Sequence, residues 1–314
     1  MRNHSVISTF LLPVLLLFLS GCISEEPNYD EDYYLSDSKN KLGINTDILP
    51  SEDSPFDWES DFIVPDLIVE SQSFLEKRKT IKDNINNTEW NYSVILPPSY
   101  YSEEYKKYPV LYLFHGLGNS DLTWINNLKI KEKYDYCLYH DLIEEIIIIM
   151  PDARKTYYVN DYQDNIQYET FFFSTFLPFI EEEYRIQTQN KRFISGFSMG
   201  GYGAAYYAYK YNDYFEYCYA MSAPLNGKGT PLTPSIIDIV TNKNKDDLPF
   251  MTMDIAKRDD FFNSNLVLHN KFMAMNLDHE LIFREGAHNT DFWNGSSLAC
   301  LLRIGRILKN SYYR

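Results

Sequence analysis

In Gly196-Phe197-Ser198-Met199-Gly200 a serine stands between glycines two positions to either side, where the run Arg192 to Ser195 reads as a strand and a helix begins near Met199. A strand-to-helix turn this tight leaves no room for Cβ atoms at its flanks and pushes the serine hydroxyl out above the sheet, as in a nucleophile elbow. Gly196 and Gly200 supply the missing Cβ atoms. The helix N-terminus behind Ser198 has N–H groups without intrahelical acceptors and a partial positive charge. The Met199 amide is therefore a candidate donor to negative charge developing on a substrate oxygen. The same five-residue pattern also describes an ordinary Gly-rich turn, so the partners of the serine decide between the two.

A nucleophilic serine needs a base to take its proton and an acid to orient that base, in the chain order serine, acid, histidine. Three histidines follow Ser198. His269 lies in a helical pattern, Leu266 to Phe272, and His279 precedes the strand Glu280 to Phe283. His288 comes after that strand, in Gly286-Ala287-His288-Asn289, where a loop emerges at the sheet edge. An imidazole there can take the serine proton near neutral pH and return it to a leaving alkoxide. For the acid, Phe250 to Ala256 reads as a strand and Lys257-Arg258-Asp259-Asp260 as the loop after it. Asp260 is the favoured residue, Asp259 the next, and Asp254, inside the strand, the outsider. His115-Gly116-Leu117-Gly118 directly follows another strand. In α/β-hydrolases the corresponding loop gives the second oxyanion N–H, which makes Leu117 the expected partner of Met199 and Gly116 a position of close backbone approach. His115 itself reads as structural.

The elements that must hold these residues are short apolar strands alternating with longer amphipathic stretches. Pro109 to Phe114, Glu145 to Met150, Arg192 to Ser195 and Cys218 to Ser222 are apolar on both faces, as in a parallel sheet covered by helices. Tyr168 to Tyr184, Tyr202 to Tyr211 and the Leu298, Leu301, Leu302, Leu308 face supply the helices. Leu67 to Leu75 and Glu89 to Leu96 read as antiparallel strands leading in. The expected class is α/β, a doubly wound, mostly parallel sheet with helices on both faces.

Outside this core, residues 1–21 have a basic start, an apolar run from Val6 to Leu19 and then Leu-Ser-Gly-Cys, which describes an export signal. The ending resembles the bacterial lipoprotein signal, and this resemblance implies cleavage before Cys22, a lipidated Cys22, and an exported chain anchored to the cell envelope. Residues 22–62 are acidic and lack apolar periodicity, as in a disordered tether. Of the formal charge of −15, the segment 23–61 contributes −10 through twelve acids and two lysines; residues 63–314, the expected folded domain, carry close to −6. No basic stripe suits nucleic acid. Cys137, Cys218 and Cys300 read as buried free thiols, and no spacing suggests a metal site.

Taken together, Tyr108 to Gly116, Met150-Pro151-Asp152, Phe176 to Glu181, Gly196 to Ala204, and Gly286-Ala287-His288 with Trp293 resemble an esterase family of α/β-hydrolases. Its members include feruloyl and acetyl xylan esterases, S-formylglutathione hydrolases, enterochelin esterases and mycolyltransferases. The resemblance covers about Asp66 to Leu308. It implies Ser198 as nucleophile, His288 as base and Asp260 as acid, with no cofactor. The family's Cys-Gly-x-x-Asp pattern before the acid is here Ala256-Lys257-Arg258-Asp259-Asp260, without the glycine. Within the family the feruloyl branch is the most similar, which implies hydroxycinnamoyl or acetyl esters of plant cell-wall carbohydrate as substrates. An acyltransferase of the mycolyltransferase type, an enterochelin-type esterase and an inactive surface binding scaffold are the alternative expectations.

Overall fold

The computed structural model describes residues 67, 69–161, 165–189, 191–227, 233–241 and 243–309. The signal segment, Cys22 and the acidic tether lie outside the described residues. Ten strands are present among those described: β1 (Phe74–Asp83), β2 (Thr88–Leu96), β3 (Val110–Phe114), β4 (Ile147–Pro151), β5 (Asn160–Asp161), β6 (Ile166–Gln167), β7 (Arg192–Phe197), β8 (Tyr217–Met221), β9 (Phe250–Arg258) and β10 (His279–Ala287). Eight form one sheet in the order β1-β2-β4-β3-β7-β8-β9-β10, and β5 pairs with β6 in a small hairpin. The β1/β2 and β2/β4 pairings are antiparallel. All the others in the large sheet are parallel, from β4/β3 to β9/β10.

Each apolar strand divides its residues between two cores. Along β3, Val110, Tyr112 and Phe114 join one buried cluster, which includes Met199, Tyr202 and Tyr207 of the helix Met199–Lys210. Leu111 and Leu113 join the other, with Trp124, Phe197, and Leu298 and Leu301 of the helix Thr290–Lys309. The period of two thus explains why these runs carry no polar face: both faces are covered. The tyrosines are mostly part of this packing. Tyr92, Tyr112, Tyr134, Tyr158, Tyr168, Tyr207 and Tyr219 are among the largest fully buried side chains. Cys137, Cys218 and Cys300 are free and buried.

Several boundaries differ from the sequence expectation, and β9 and β10 run on through Arg258 and Ala287, beyond the strand ends expected at Ala256 and Phe283. The first strand begins at Phe74 rather than Leu67, and its sequence FLEKRKTIKD places four consecutive charged residues, Glu76 to Lys79, at the sheet edge. Charged side chains on an edge strand discourage pairing with another chain, and they also hide the strand's apolar signal. The helical stretch expected from Tyr168 to Tyr184 is interrupted by a π-helical turn at Phe172–Phe176. Phe172, at the start of this turn, packs against Phe114 and Tyr207.

Candidate active site

The nucleophile turn follows from space. A Cβ on Gly200 would lie 2.2 Å from the Phe114 carbonyl oxygen, and one on Gly196 would lie 2.4 Å from the Gly200 backbone. No other residue type lets β3, β7 and the helix after Ser198 approach this closely. Ser198 has φ 55° and ψ −122°, a left-handed conformation that a serine adopts only when its surroundings enforce it. Its amide donates to the Met221 carbonyl at 2.8 Å, tying the turn to the end of β8.

His288 follows β10 directly. Its Nε2 lies 2.9 Å from Ser198 Oγ and its Nδ1 lies 2.8 Å from Asp259 Oδ2. An ionised carboxylate only accepts, so Nδ1 carries the proton and Nε2 is left to accept from the serine hydroxyl. The Asp259 side chain is fully buried, whereas the imidazole is 28% exposed and can meet a substrate. Phe261 and Trp293 approach the imidazole at 5.3 and 5.0 Å between ring centroids, both nearly perpendicular to it. Trp293 also stacks on Phe197 at 4.6 Å.

The carboxylate that reaches His288 is Asp259 rather than the expected Asp260. After β9 the chain turns at once: the Phe262 amide donates to the Asp259 carbonyl at 3.0 Å, and the Phe261 amide donates to Asp259 Oδ1 at 2.9 Å. This side-chain-closed turn fixes the first of the two aspartates inward, with its second oxygen free for His288, and sends Asp260 into solvent. The signal available in the sequence was that aspartate commonly occupies the opening position of such a turn. Asp254 is buried elsewhere, against Arg284.

On the other side of the serine, His115 is fully buried and structural, as expected. Its Nε2 accepts from the Ala153 amide at 2.9 Å, so Nδ1 must carry the proton that it gives to the Gly116 carbonyl at 2.8 Å. The Asn119 amide donates to the same carbonyl at 3.1 Å. In a trans peptide the carbonyl and the next N–H point opposite ways, so holding the Gly116 carbonyl also fixes the direction of the Leu117 amide. A Cβ on Gly116 would lie 2.6 Å from the Phe197 ring, which packs this loop against the elbow. The Met199 amide, at the first turn of its helix, has no acceptor within that helix. Among the described residues no group of three or more His, Cys, Asp or Glu is placed to hold a metal ion.

A parallel sheet with an antiparallel leading edge, a strained serine between strand and helix, and a histidine and acid at the carboxyl edge define a serine hydrolase of the α/β-hydrolase fold. The family model described as "Putative esterase" matches residues 84–299, and the chain belongs to that family. It is 36% identical over 143 residues to the esterase Rv1288 of Mycobacterium tuberculosis, a match that spans 43% of this chain and 30% of the mycobacterial protein. It is 26% identical over 215 residues to an acetyl esterase of Caldicellulosiruptor saccharolyticus, covering 59% of this chain and 78% of that one. Among solved structures, a ferulic acid esterase superposes with TM-score 0.69 at 28% identity, covering 76% of this chain and 98% of the other. The S-formylglutathione hydrolase of Staphylococcus aureus, at 18% identity and TM-score 0.62, covers 76% of this chain and 99% of its own and shares the fold.

Proposed function

We propose that the protein is a serine carboxylesterase that cleaves hydroxycinnamoyl or acetyl esters of plant cell-wall carbohydrate through an acyl-enzyme. The observation that carries this reading is the continuous chain Ser198 Oγ, His288, Asp259 at 2.9 and 2.8 Å. His288 Nε2 takes the serine proton as Oγ attacks the ester carbonyl, Asp259 stabilises the imidazolium, and the Met199 and Leu117 amides receive the oxyanion. The imidazolium then protonates the leaving alkoxide, and water deacylates the enzyme by the reverse proton path. The similarity to a ferulic acid esterase and to an acetyl esterase supports the acyl class.

Comparison of methyl ferulate, an acetylated xylo-oligosaccharide and 4-nitrophenyl acetate, with Ser198→Ala alongside, tests the reading. Serine-dependent turnover that favours ferulate or acetyl-xylan supports it. Turnover of the nitrophenyl ester alone would overturn the carbohydrate assignment, and formation of new esters on added sugar acceptors would replace hydrolysis by acyl transfer. The formation of a hydrogen-bonded triad favours catalysis over an inactive binding scaffold.

The lipoprotein-like sequence at Leu19 to Cys22 supports an envelope-anchored protein carrying its domain on an acidic tether. Metabolic labelling with a fatty acid should mark the wild type and not Cys22→Ala; equal labelling of the two would remove the anchor.

A further inference from the structure

His288 sits at the end of a strand that changes register just before it. β10 pairs with β9 in step from His279 with Met251 to Arg284 with Ala256, and then Ala287 pairs with Arg258. Three steps on β10 are matched by two on β9, so β10 carries one extra residue. Gly286 takes φ +143° within that bulge, and a Cβ there would lie 2.8 Å from the Phe292 ring. A bulge re-aims the residues beyond it, here the base. A bulge is also a place where a strand can slip, so something must hold its two ends.

Arg284, the last residue before the shift, turns into the protein. Its Nη2 lies 2.8 and 2.6 Å from the two carboxylate oxygens of Asp254 and 2.9 Å from Ser296 Oγ, and its guanidinium lies 4.4 Å from the centre of the Phe292 ring. Ser296 and Phe292 belong to the helix that begins after His288, so one side chain grips the chain on both sides of the base. Asp254 lies on β9, five residues before Asp259, and Tyr219 donates to its Oδ2 at 2.6 Å. Its backbone carbonyl accepts from the Ser222 amide at 2.8 Å, one residue beyond the Met221 carbonyl that holds the Ser198 amide. The grip therefore spans the strands that carry the acid, the base and the anchor of the nucleophile.

We propose that Arg284, held by Asp254 and Ser296, is a positioning residue that sets the bulge of β10 and thereby the placement of His288 between Ser198 and Asp259. The proposal rests on the serine-hydrolase reading. It differs from a merely structural role in what it moves. A lost fold lowers the number of working sites, whereas a misplaced base lowers the rate at each site without changing substrate binding.

The test is steady-state turnover of 4-nitrophenyl acetate and the rate of fluorophosphonate labelling of Ser198, both per titrated active site, in wild type, Arg284→Met and Arg284→Lys. Arg284→Met should lose on the order of 100-fold in kcat and in labelling rate, with KM within about twofold. Arg284→Lys, which keeps the cation, should recover at least about tenfold of that loss. Wild-type kcat and labelling rate per site in Arg284→Met would overturn the proposal. If Arg284→Met does not fold, Arg284→Lys and Ser296→Ala decide: a loss of about threefold or more in kcat at unchanged KM in both supports it, and wild-type values in both overturn it. Labelled, active wild type beside unaffected variants overturns the positioning role alone. A wild type that neither turns over ester nor takes label overturns the serine-hydrolase reading and this inference with it.

Discussion

Strand β9 carries two buried carboxylates five residues apart, and they are held differently. Asp254 lies inside the strand, sealed against the guanidinium of Arg284. Asp259 lies just beyond the strand against His288, an imidazole that keeps 28% of its side chain exposed and can pass a proton between Ser198 and a substrate. Both are fully buried as side chains. The partner separates them: a permanent charge in a closed site fixes geometry, and a titratable ring at an open edge moves protons. The two sites stay coupled because β10 carries both partners, Arg284 and His288, on either side of its bulge.

That contrast can be tested from the largest effect downward. Ser198→Ala should lower kcat by on the order of 10⁶-fold while leaving folding intact, since it removes the covalent route and no packing volume. Retention of a tenth of wild-type turnover would show that the strained turn serves structure alone. Removing one partner of the sealed pair should, unlike Ser198→Ala, also cost stability: Arg284→Met should lose about 3–5 kcal/mol in urea unfolding, because it leaves the Asp254 charge buried without its cation. Asp259→Asn should stay within about 1 kcal/mol of wild type in the same assay, since the amide keeps an oxygen for the Phe261 N–H. Equal stability losses in the two would erase the distinction.

A third buried pair has neither a permanent charge nor an open edge. His269 Nδ1 lies 2.8 Å from His279 Nε2, and His279 Nδ1 donates to the Leu277 carbonyl at 2.7 Å. Burial, reinforced by the neighbouring His279, pulls His269 down from 6.5 to about 4, and burial lowers His279 as well. Between the two values for His269 the unfolded chain binds more protons than the folded one, so the stability is complete above pH 6.5 and lost as pH falls towards 4. Urea unfolding should weaken by roughly 3 kcal/mol across that window from His269 alone. His269→Gln should flatten the slope, and an unchanged slope in that variant would assign the acid sensitivity to other groups.

What the sequence conveyed about this site reflects the kind of constraint at each residue. Ser198, Gly196 and Gly200 were legible because close backbone approach admits few residue types, and the spacing records it. His288 was legible by elimination, because its strand and loop could be read around it. Asp259 was not separable from Asp260 by composition: two identical neighbours differ only in which one closes the turn with Phe261. Arg284 was invisible for another reason, since its partners Asp254 and Ser296 come from separate elements that only the tertiary fold brings together. The sheet could be read where both faces are apolar, as in β3 and β4. It was misplaced at the charged edge strand β1, where solubility, not burial, set the residue pattern. Most of the abundant tyrosine rings fill the two cores.

The central claim, that Asp259 rather than its neighbour completes the triad, is tested most directly by kcat/KM for 4-nitrophenyl acetate in Asp259→Asn and Asp260→Asn measured side by side. We expect a fall on the order of 10⁴-fold for Asp259→Asn, because the amide lets His288 settle in the wrong tautomer, and a change within about twofold for Asp260→Asn. A large loss in Asp260→Asn with Asp259→Asn near wild type would contradict it.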